Sequence, residues 1–329
     1  MVERVTPPSG KAAGSGRPRV LLVDDDAGIL KAISRTLAGD FEVVGTVTDG
    51  AQALHRATAL DVDAIVLDIS MPGLNGFQTA AELKRSGSPA RIVFLTMHQG
   101  DEFVAKAIRS GATGYVLKTS AWSDLSPALG HALGGRQYLP CLAPLVMTNA
   151  DAHAVQFHRD DTSWLGGVAD VLTRALDRGD VVATVLLQAH QDILAVRMNE
   201  RGWNPADLEA QGRYLVFDAE EAATEVMRDD QVHPEAIAAL VAALERARAA
   251  CAAGHVTLVG EIAAVLCRHG NPAAALELER LWDEGTRALP ILTICAYPAG
   301  CVDHHQPSGF VSQISARHAV ISQESGFGS

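Results

Sequence analysis

Long apolar runs, paired cysteines and an excess of basic residues are all missing from this 329-residue sequence. No apolar run approaches the roughly 18–20 residues that a helix needs to span a bilayer, so we expect no membrane-spanning helix. The five cysteines are odd in number and scattered, without a Cys-x-x-Cys pair, which predicts reduced thiols in a cytoplasmic protein. Residues 1–18 are rich in Pro, Gly and Ser and have no apolar signal core, so we predict a disordered tail.

The charge balance excludes one broad class of protein. There are 27 Lys and Arg residues against 39 Asp and Glu residues, a net charge of −12. Because phosphate contacts need a concentrated basic face, this balance argues against a dedicated nucleic-acid-binding protein. With 20% charged and 48% hydrophobic residues the chain can bury sizeable cores, and its length predicts two domains.

Residues 19–139 have the pattern of an α/β domain. The β-branched strand candidates lie at 20–23, 41–44, 64–67, 92–95 and 115–117. Between them, apolar residues recur at three- and four-residue spacing, as on one face of a helix. Five such units with short connections predict a five-stranded, doubly wound parallel sheet.

A second α/β domain is predicted over residues 151–321, after a linker at 140–150 that contains two prolines. Its strand candidates lie at 181–187, 214–217, 255–259 and 291–296. Its helix candidates lie at 165–178, 192–201, 220–228, 234–253, 261–269 and 273–288. We expect this domain to have its own core, with residues 322–329 as a tail.

Polar residues with shared chemistry follow the strands of the first domain. Three aspartates at 24–26 follow the first strand, Asp68 ends the third, Thr96 follows the fourth and Lys118 ends the fifth. Because the carboxyl ends of parallel strands share one edge of the sheet, we expect these side chains to converge. Clustered carboxylates suit Mg²⁺, while Lys and Thr can bind phosphoryl oxygens.

Residues 19–138 resemble a response-regulator receiver domain of the NarL type. The segments that carry the resemblance are Val-Leu-Leu-Val-Asp-Asp-Asp at 20–26, Val-Leu-Asp-Ile-Ser-Met-Pro-Gly at 66–73, Asn-Gly at 75–76, Phe-Leu-Thr at 94–96, and Gly-Ala-Thr-Gly-Tyr-Val-Leu-Lys at 111–118. The resemblance implies a flavodoxin-like, CheY-like fold that accepts a phosphoryl group from a sensor histidine kinase.

The same resemblance assigns roles to individual residues. It implies that Asp68 is the phosphoacceptor and that Thr96 and Lys118 bind the phosphoryl oxygens. It further implies that Tyr115 takes the aromatic switch position. The residues implied to bind Mg²⁺ are Asp24, Asp25, Asp68 and the backbone carbonyl of Ser70.

Three positions depart from this family pattern or vary within it. Asp26 is a third acid that can serve as a helix N-cap. Thr119 follows Lys118 where many receivers have proline after a cis peptide, and a cis bond before a non-proline residue costs about 3–4 kcal/mol. Met97 stands where many receivers carry a small residue, and we expect it to restrict access to the acidic site.

The second domain resembles the DcmR-like sensory (MEDS) domain. Segments of similarity run in order through 153–157, 175–180, 212–218, 259–262, 275–282, 295–298 and 316–318. That family looks like a degenerate relative of RecA/KaiC-type ATPase cores and is thought to sense small molecules. No helix-turn-helix with a basic recognition helix follows the linker, so we expect no direct DNA binding. Residues 186–192, where a phosphate-binding loop would lie, contain neither glycine nor lysine, so we expect no ATP hydrolysis.

Several residues of the second domain allow two interpretations. Glu261 is either an acidic group inherited from an ATPase or a helix N-terminal glutamate favoured by the helix dipole. His153, His190 and His318 either line a pocket or are structural. Glu277 and Glu279 lie on one helix, but two residues apart they point to different faces.

Two further features carry weak signals. The segment 301–305 (Cys-Val-Asp-His-His) has metal-binding atoms without a recognised zinc spacing, which favours a solvated loop. Trp164, Trp203 and Trp282 belong either to the core or to a pocket.

Taken together, the residues and the two family resemblances imply a response regulator of a two-component phosphorelay, phosphorylated on Asp68 with Mg²⁺. We expect it not to be an enzyme and to control a second domain that binds a small molecule or a protein partner. A homodimer is compatible with this interpretation. The alternative is a small-molecule sensor in which the receiver serves mainly as a dimerisation module.

Overall fold

The computed structural model describes residues 16–141, 151–301 and 309–323. The chain divides into two compact units, one ending at Pro140 and the other beginning at Cys141. Residues 1–15 of the predicted N-terminal tail, 142–150 of the predicted linker, 302–305 of the predicted solvated loop at 301–305, and 324–329 of the predicted C-terminal tail lie outside the described residues. No helix in the described ranges is both long and apolar enough to cross a membrane.

The first unit is a parallel sheet with helices between its strands. Its strands are β1 (Arg19–Val23), β2 (Glu42–Val47), β3 (Ala64–Leu67), β4 (Arg91–Thr96), β5 (Gly114–Leu117) and β6 (Gln137–Leu139). Its helices are α1 (Ala27–Leu37), α2 (Gly50–Ala59), α3 (Gly76–Arg85), α4 (Asp101–Arg109) and α5 (Ala121–Leu133), with a 3₁₀ turn at Lys118–Ser120. The strand order is β2-β1-β3-β4-β5-β6, and every pair is parallel.

The predicted doubly wound α/β fold is present, with one strand more than expected. The five predicted strands all occur, each within three residues of its predicted bounds. The prediction of five strands was wrong because β6 also joins the sheet, paired with β5 through Gly114 and Tyr138 alone. A three-residue strand with one paired position leaves no periodicity in the sequence that could reveal it.

Burial explains why the sequence pattern of the first unit was easy to interpret. All four residues of β3 are buried, as are four of five in β1 and five of six in β4. Such continuous apolar runs are typical of parallel strands that are covered on both faces. In α1, Leu30, Ile33 and Leu37 are buried at three- and four-residue spacing.

The second unit is also a parallel α/β structure. Its main strands are β7 (Ala152–His158), β8 (Val181–Leu186), β9 (Tyr214–Asp218), β12 (Val256–Gly260), β13 (Ile291–Pro298) and β14 (Val320–Gln323). Its helices are α6 (Asp161–Asp177), α7 (Gln188–Glu200), α8 (Pro205–Ala210), α9 (Ala219–Val226), α10 (Pro234–Ala250), α11 (Ile262–Arg268), α12 (Pro272–Thr286) and α13 (Phe310–Arg317), with a 3₁₀ turn at Ala299–Cys301. The strand order is β14-β7-β13-β12-β8-β9, all parallel.

Two boundaries predicted for the second domain need correction. Strand β14 continues to Gln323, so residues 322 and 323 belong to the sheet and not to a tail. The predicted helix 220–228 ends at Val226, because Met227–Arg228 (β10) pairs antiparallel with Gln231–Val232 (β11). Asp229 and Asp230 make the turn between them, with φ of 49° and 61°. Positive φ at both central residues fits a tight hairpin turn.

Candidate functional site

The carboxyl ends of β1, β3 and β5 bring three predicted site residues together. Asp24 follows β1 and Asp68 follows β3, and both side chains are buried. Lys118 follows β5, and its Nζ lies 2.7 Å from Asp24 Oδ2 and 2.9 Å from Asp68 Oδ2. One ammonium therefore bridges two carboxylates that are 44 residues apart in the chain.

Backbone amides fix the orientation of these carboxylates. The Asp26 amide donates to Asp24 Oδ1 at 2.9 Å, and the Ile69 amide donates to Asp68 Oδ1 at 2.7 Å. The Asp26 side chain instead accepts from the amides of Gly28 and Ile29 and so caps α1. Asp26 therefore serves as the helix cap that its position allowed.

The site offers oxygen ligands that suit a hard cation. Asp24, Asp25 and Asp68 each present a carboxylate oxygen, and the three oxygens lie within 4.8 Å of one another. Against three carboxylates there is one ammonium, so the group has a net charge near −2 when fully ionised. Oxygen ligands of this kind fit Mg²⁺, which takes few carboxylates together with water and phosphate oxygens.

Burial and pairing act in opposite directions on the titration of this site. Burial raises the pKa of Asp24 by more than its hydrogen bonds to Lys118 and the Asp26 amide lower it. Burial lowers the pKa of Lys118, but its hydrogen bonds to Asp24 and Asp68 and the attraction of their charges together outweigh that effect and raise it. Lys118 therefore stays a cation at neutral pH, ready to pair with anionic oxygens.

Thr96 and Tyr115 lie on the neighbouring strands β4 and β5, and both are linked to His98. Thr96 is fully buried, and its Oγ1 accepts from the His98 amide at 3.2 Å. Tyr115 is also buried, and its hydroxyl donates to the His98 carbonyl at 2.9 Å. The His98 ring stacks on Phe103 with centroids 4.4 Å apart. Sequence reasoning missed His98, and only its position two residues after Thr96 could have suggested it.

The remaining predicted residues surround the acids. Ser70 is exposed, and its Oγ lies 2.6 Å from His98 Nε2, while the role predicted for its carbonyl stays a prediction. Met97 is 62% exposed and, with Thr119, lines the open pocket beside Asp25. The Lys118–Thr119 bond is trans, as is every other peptide bond in the described part of the chain.

In the second unit, Glu261 is more than a helix-terminal glutamate. It is fully buried at the residue before α11, where it accepts from the Leu187 amide at 3.1 Å and lies 2.8 Å from His190 Nδ1. The hydrogen bond to Glu261 raises the pKa of His190 against the opposing effect of burial. Asp161 Oδ2 lies 3.5 Å from the other nitrogen of His190. His190 is thus held between two carboxylates.

His158 and Trp164 lie beside this group. The two rings stack with centroids 4.2 Å apart, and His158 Nε2 is 3.3 Å from Asp161 Oδ1. Burial lowers the pKa of His158 to about 4. Of the other two tryptophans, Trp282 is buried with its indole N–H donating to Thr293, and Trp203 is half-buried beside Arg213.

The structure also unites four residues that sequence reasoning had treated separately. His153, Glu279, Cys295 and His318 each direct one ligand-type atom into a common space, with all four atoms within 4.8 Å of one another. Glu277, in contrast, pairs with Arg280 on the exposed face of α12, as the two-residue offset from Glu279 predicts. Because the first and last of the four are 165 positions apart in the chain, no spacing motif could have indicated the group.

Comparisons with known proteins agree with the two-unit structure. The model of the response regulator receiver domain matches residues 20–129, and that of the MEDS domain (methanogen/methylotroph, DcmR sensory domain) matches residues 152–310. The nitrate/nitrite response regulator protein NarL of Escherichia coli K12 is 36% identical over 146 residues, which are 43% of this chain and 67% of NarL. Response regulator GacA of Pseudomonas viridiflava is 31% identical over 37% of this chain and 58% of GacA.

A solved structure of an isolated receiver is among those similar to the first unit. It is the signal receiver domain of the putative response regulator NarL from Mycobacterium tuberculosis, at 32% identity. The match covers 37% of this chain and 99% of that one, with a TM-score of 0.36. The chain spans about two thirds or less of the full-length relatives named above. From the two family matches and the NarL relative, we conclude that the chain belongs to the response-regulator family, with a receiver domain followed by a MEDS sensory domain.

Proposed function

We propose that this protein is a two-component response regulator that a sensor histidine kinase phosphorylates on Asp68 with the help of Mg²⁺. The observation that carries the proposal is the bridge from Lys118 Nζ to both Asp24 and Asp68. A phosphoryl group on Asp68 would place its oxygens beside an ammonium that already lies 2.9 Å from the acceptor carboxylate. Preorganised cations of this kind stabilise the charge that develops in phosphoryl transfer.

The chemistry follows from the side chains. An oxygen of the Asp68 carboxylate forms a bond to phosphorus, and the bond from phosphorus to the imidazole nitrogen of the kinase breaks. Asp24 and Asp25 would hold Mg²⁺ with Asp68 and the Ser70 carbonyl, and the ion would neutralise phosphoryl charge. Lys118 and the Thr96 hydroxyl would bind the remaining phosphoryl oxygens.

For the second domain, which extends to the end of β14 at Gln323, we propose a regulatory role without DNA binding or ATP hydrolysis. Its all-parallel sheet supports a relationship to RecA/KaiC-type cores. Leu187 alone connects β8 to α7, so the connection contains no glycine or lysine that could hold phosphates. The families matched are regulators and not enzymes, which supports a signalling function.

Phosphorylation of matched variants tests this proposal. With acetyl phosphate and Mg²⁺, the wild-type chain should gain one phosphoryl group that alkali and hydroxylamine release, and Asp68→Asn should gain none. Asp26→Asn is the control, because it makes the same chemical change two residues after Asp24 while keeping a good helix cap.

Two results would count against the proposal. Equal phosphorylation of Asp68→Asn and the wild type would assign the phosphoryl group elsewhere. No phosphorylation of the folded wild-type protein, with or without Mg²⁺, would favour a ligand sensor whose receiver only dimerises.

A further inference from the structure

Four side chains from separate elements of the second domain meet at one buried point. His153 lies on β7 and Cys295 on the adjacent strand β13. Glu279 lies on α12, and His318 directly follows α13. Glu279 and His318 are each 1% exposed, so water has little access to this group.

We propose that His153, Glu279, Cys295 and His318 form a Zn²⁺ site. The atoms that would bind the ion are the Nε2 atoms of both histidines, Cys295 Sγ and Glu279 Oε2. Neither the phosphorylation proposed above nor the acidic site of the receiver is needed for this inference.

The spacing of these atoms is that of a tetrahedral ligand set. Glu279 Oε2 lies 3.1 Å from His153 Nε2, 3.4 Å from His318 Nε2 and 3.3 Å from Cys295 Sγ. His153 Nε2 is 3.2 Å from Cys295 Sγ. Zinc bonds of about 2.0–2.1 Å to nitrogen or oxygen and about 2.3 Å to sulfur imply tetrahedron edges of roughly 3.3–3.6 Å. Small adjustments of side chains would therefore suffice to admit the ion.

Neighbouring groups already orient these atoms toward the centre. His318 Nδ1 donates to the Ile314 carbonyl at 2.8 Å, which leaves the lone pair on Nε2. That buried Nε2 makes no well-aligned hydrogen bond in the described part of the chain, and Glu279 Oε2 lies 3.4 Å from it. The Tyr297 hydroxyl donates to Glu279 Oε1 at 2.6 Å, which leaves Oε2 for an ion. Such outer hydrogen bonds commonly fix the tautomer and direction of metal ligands.

The chemistry of the donors selects the metal. A thiolate and two imidazoles are poor ligands for Mg²⁺ or Ca²⁺ but good ligands for Zn²⁺. A thiolate and a carboxylate with two neutral imidazoles carry a charge of −2, which one Zn²⁺ neutralises. Neutral overall charge matters here because a buried, unpaired charge is costly.

Zinc binding by the full-length protein tests the inference. The chain is stripped with a chelator and titrated with Zn²⁺ against a chromophoric competitor, with excess Mg²⁺ present to occupy the receiver acids. We expect the wild type to bind one equivalent of zinc. Cys295→Ser should bind at least about 100-fold more weakly, since even changes outside the ligand set cost 10–100-fold. Cys251→Ser is the control: this thiol lies directly after α10, beside the Gly212 carbonyl, and the variant should bind zinc like the wild type.

X-ray absorption of the zinc-loaded wild type identifies the ligands without relying on a variant that folds. One sulfur and two imidazoles around the ion would support the site, and a shell made only of oxygen would overturn it. Absence of zinc binding by the folded wild type, or equal affinity in Cys295→Ser, would also overturn it. Phosphorylation of Asp68 is measured separately, so either proposal can fail alone.

Discussion

His131 shows how a single buried residue links the receiver to pH. It lies on α5, is 8% exposed, and stacks on Tyr138 of β6 with centroids 5.9 Å apart. Burial, with a smaller effect from Arg136, lowers its pKa from 6.5 to about 4. The folded receiver therefore favours the neutral form of the His131 imidazole.

We predict that the receiver loses stability as the pH falls from 7 to 5. In that range the unfolded chain takes up a proton on His131 and the folded chain does not, so stability rises with pH. The pKa of His131 is lower in the folded chain than in the unfolded chain by roughly 2.5, and a difference of 1 corresponds to about 1.36 kcal/mol. Between pH 7 and pH 5 the unfolded chain gains most of its proton on His131, so this residue should lower the free energy of unfolding by about 2 kcal/mol over that range. Hydrogen exchange of amides in β4 and β5, corrected for intrinsic rates, measures it.

Substitution assigns this pH dependence to one side chain. His131→Phe keeps an aromatic ring beside Tyr138 but cannot titrate, so its exchange-derived stability should vary less between pH 7 and 5. His55→Gln, on the exposed side of α2, should keep the full wild-type dependence. If the stability of His131→Phe fell between pH 7 and pH 5 as much as that of the wild type, other groups would cause the loss of stability.

At the scale of elements, the start of α3 is built directly against the phosphoacceptor loop. Asn75 caps α3 together with Gln78, and the Gly76 amide donates to the Ile69 carbonyl at 2.9 Å. A Cβ on Gly76 would overlap the Asp68 carbonyl oxygen and would lie 2.8 Å from Ile69 Cα. Since both neighbours are backbone atoms, neither can rotate away.

We predict that Gly76→Ala destabilises the receiver by about 1–3 kcal/mol, the usual cost of forcing extra volume into a packed site. It should also slow phosphorylation by acetyl phosphate about tenfold or more, because displacement of a reacting group by 1 Å can cost 100-fold. Gly39→Ala is the control, since a Cβ there meets no atom within 4 Å. Wild-type phosphorylation by Gly76→Ala would show that the contact is not restrictive.

Elements differ in how far the sequence could predict them. Strands such as β3 are apolar throughout because both faces are covered, so the sequence alone revealed them. Strand β7 was missed because its residues form neither a continuous apolar run nor a strict alternation, and two of its polar residues, His153 and His158, lie beside carboxylates in the folded chain. Buried polar groups of this kind are decided by tertiary partners, which local periodicity does not record.

The same distinction applies to the two sites. The receiver acids were predictable because each follows a recognisable strand, and parallel strands bring their ends together. Only the structure shows that Lys118 pairs with both Asp24 and Asp68. It also shows that His98 hydrogen-bonds to Thr96 and Tyr115. Cys295 drew no attention as a ligand, because its partners come from three other elements.

For the whole molecule, the proposed function requires that the receiver influence the second domain. We predict that beryllofluoride with Mg²⁺, a mimic of the phosphoryl group, changes hydrogen exchange in at least one segment of residues 151–301. Couplings between sites are typically about 1–3 kcal/mol, or roughly 5–150-fold in an equilibrium. Asp68→Asn should show no change.

The contrary outcome is equally informative. If hydrogen exchange changed only around Asp68, the two domains would not be coupled, and the interpretation of the receiver as a dimerisation module would be favoured. Sedimentation of both states, measured in parallel, distinguishes a change of oligomeric state from a change within one chain.

The strand order of the second domain has a consequence for protein synthesis. β7 is the first strand of that domain to leave the ribosome, yet its neighbours β13 and β14 are the last two. At about 5–20 residues per second, β7 waits on the order of 10 s for them, whereas the receiver strands are complete before β7 is made. Pairing between such distant segments also forms slowly. We therefore expect β7 to remain unpaired during synthesis for longer than any strand of the receiver.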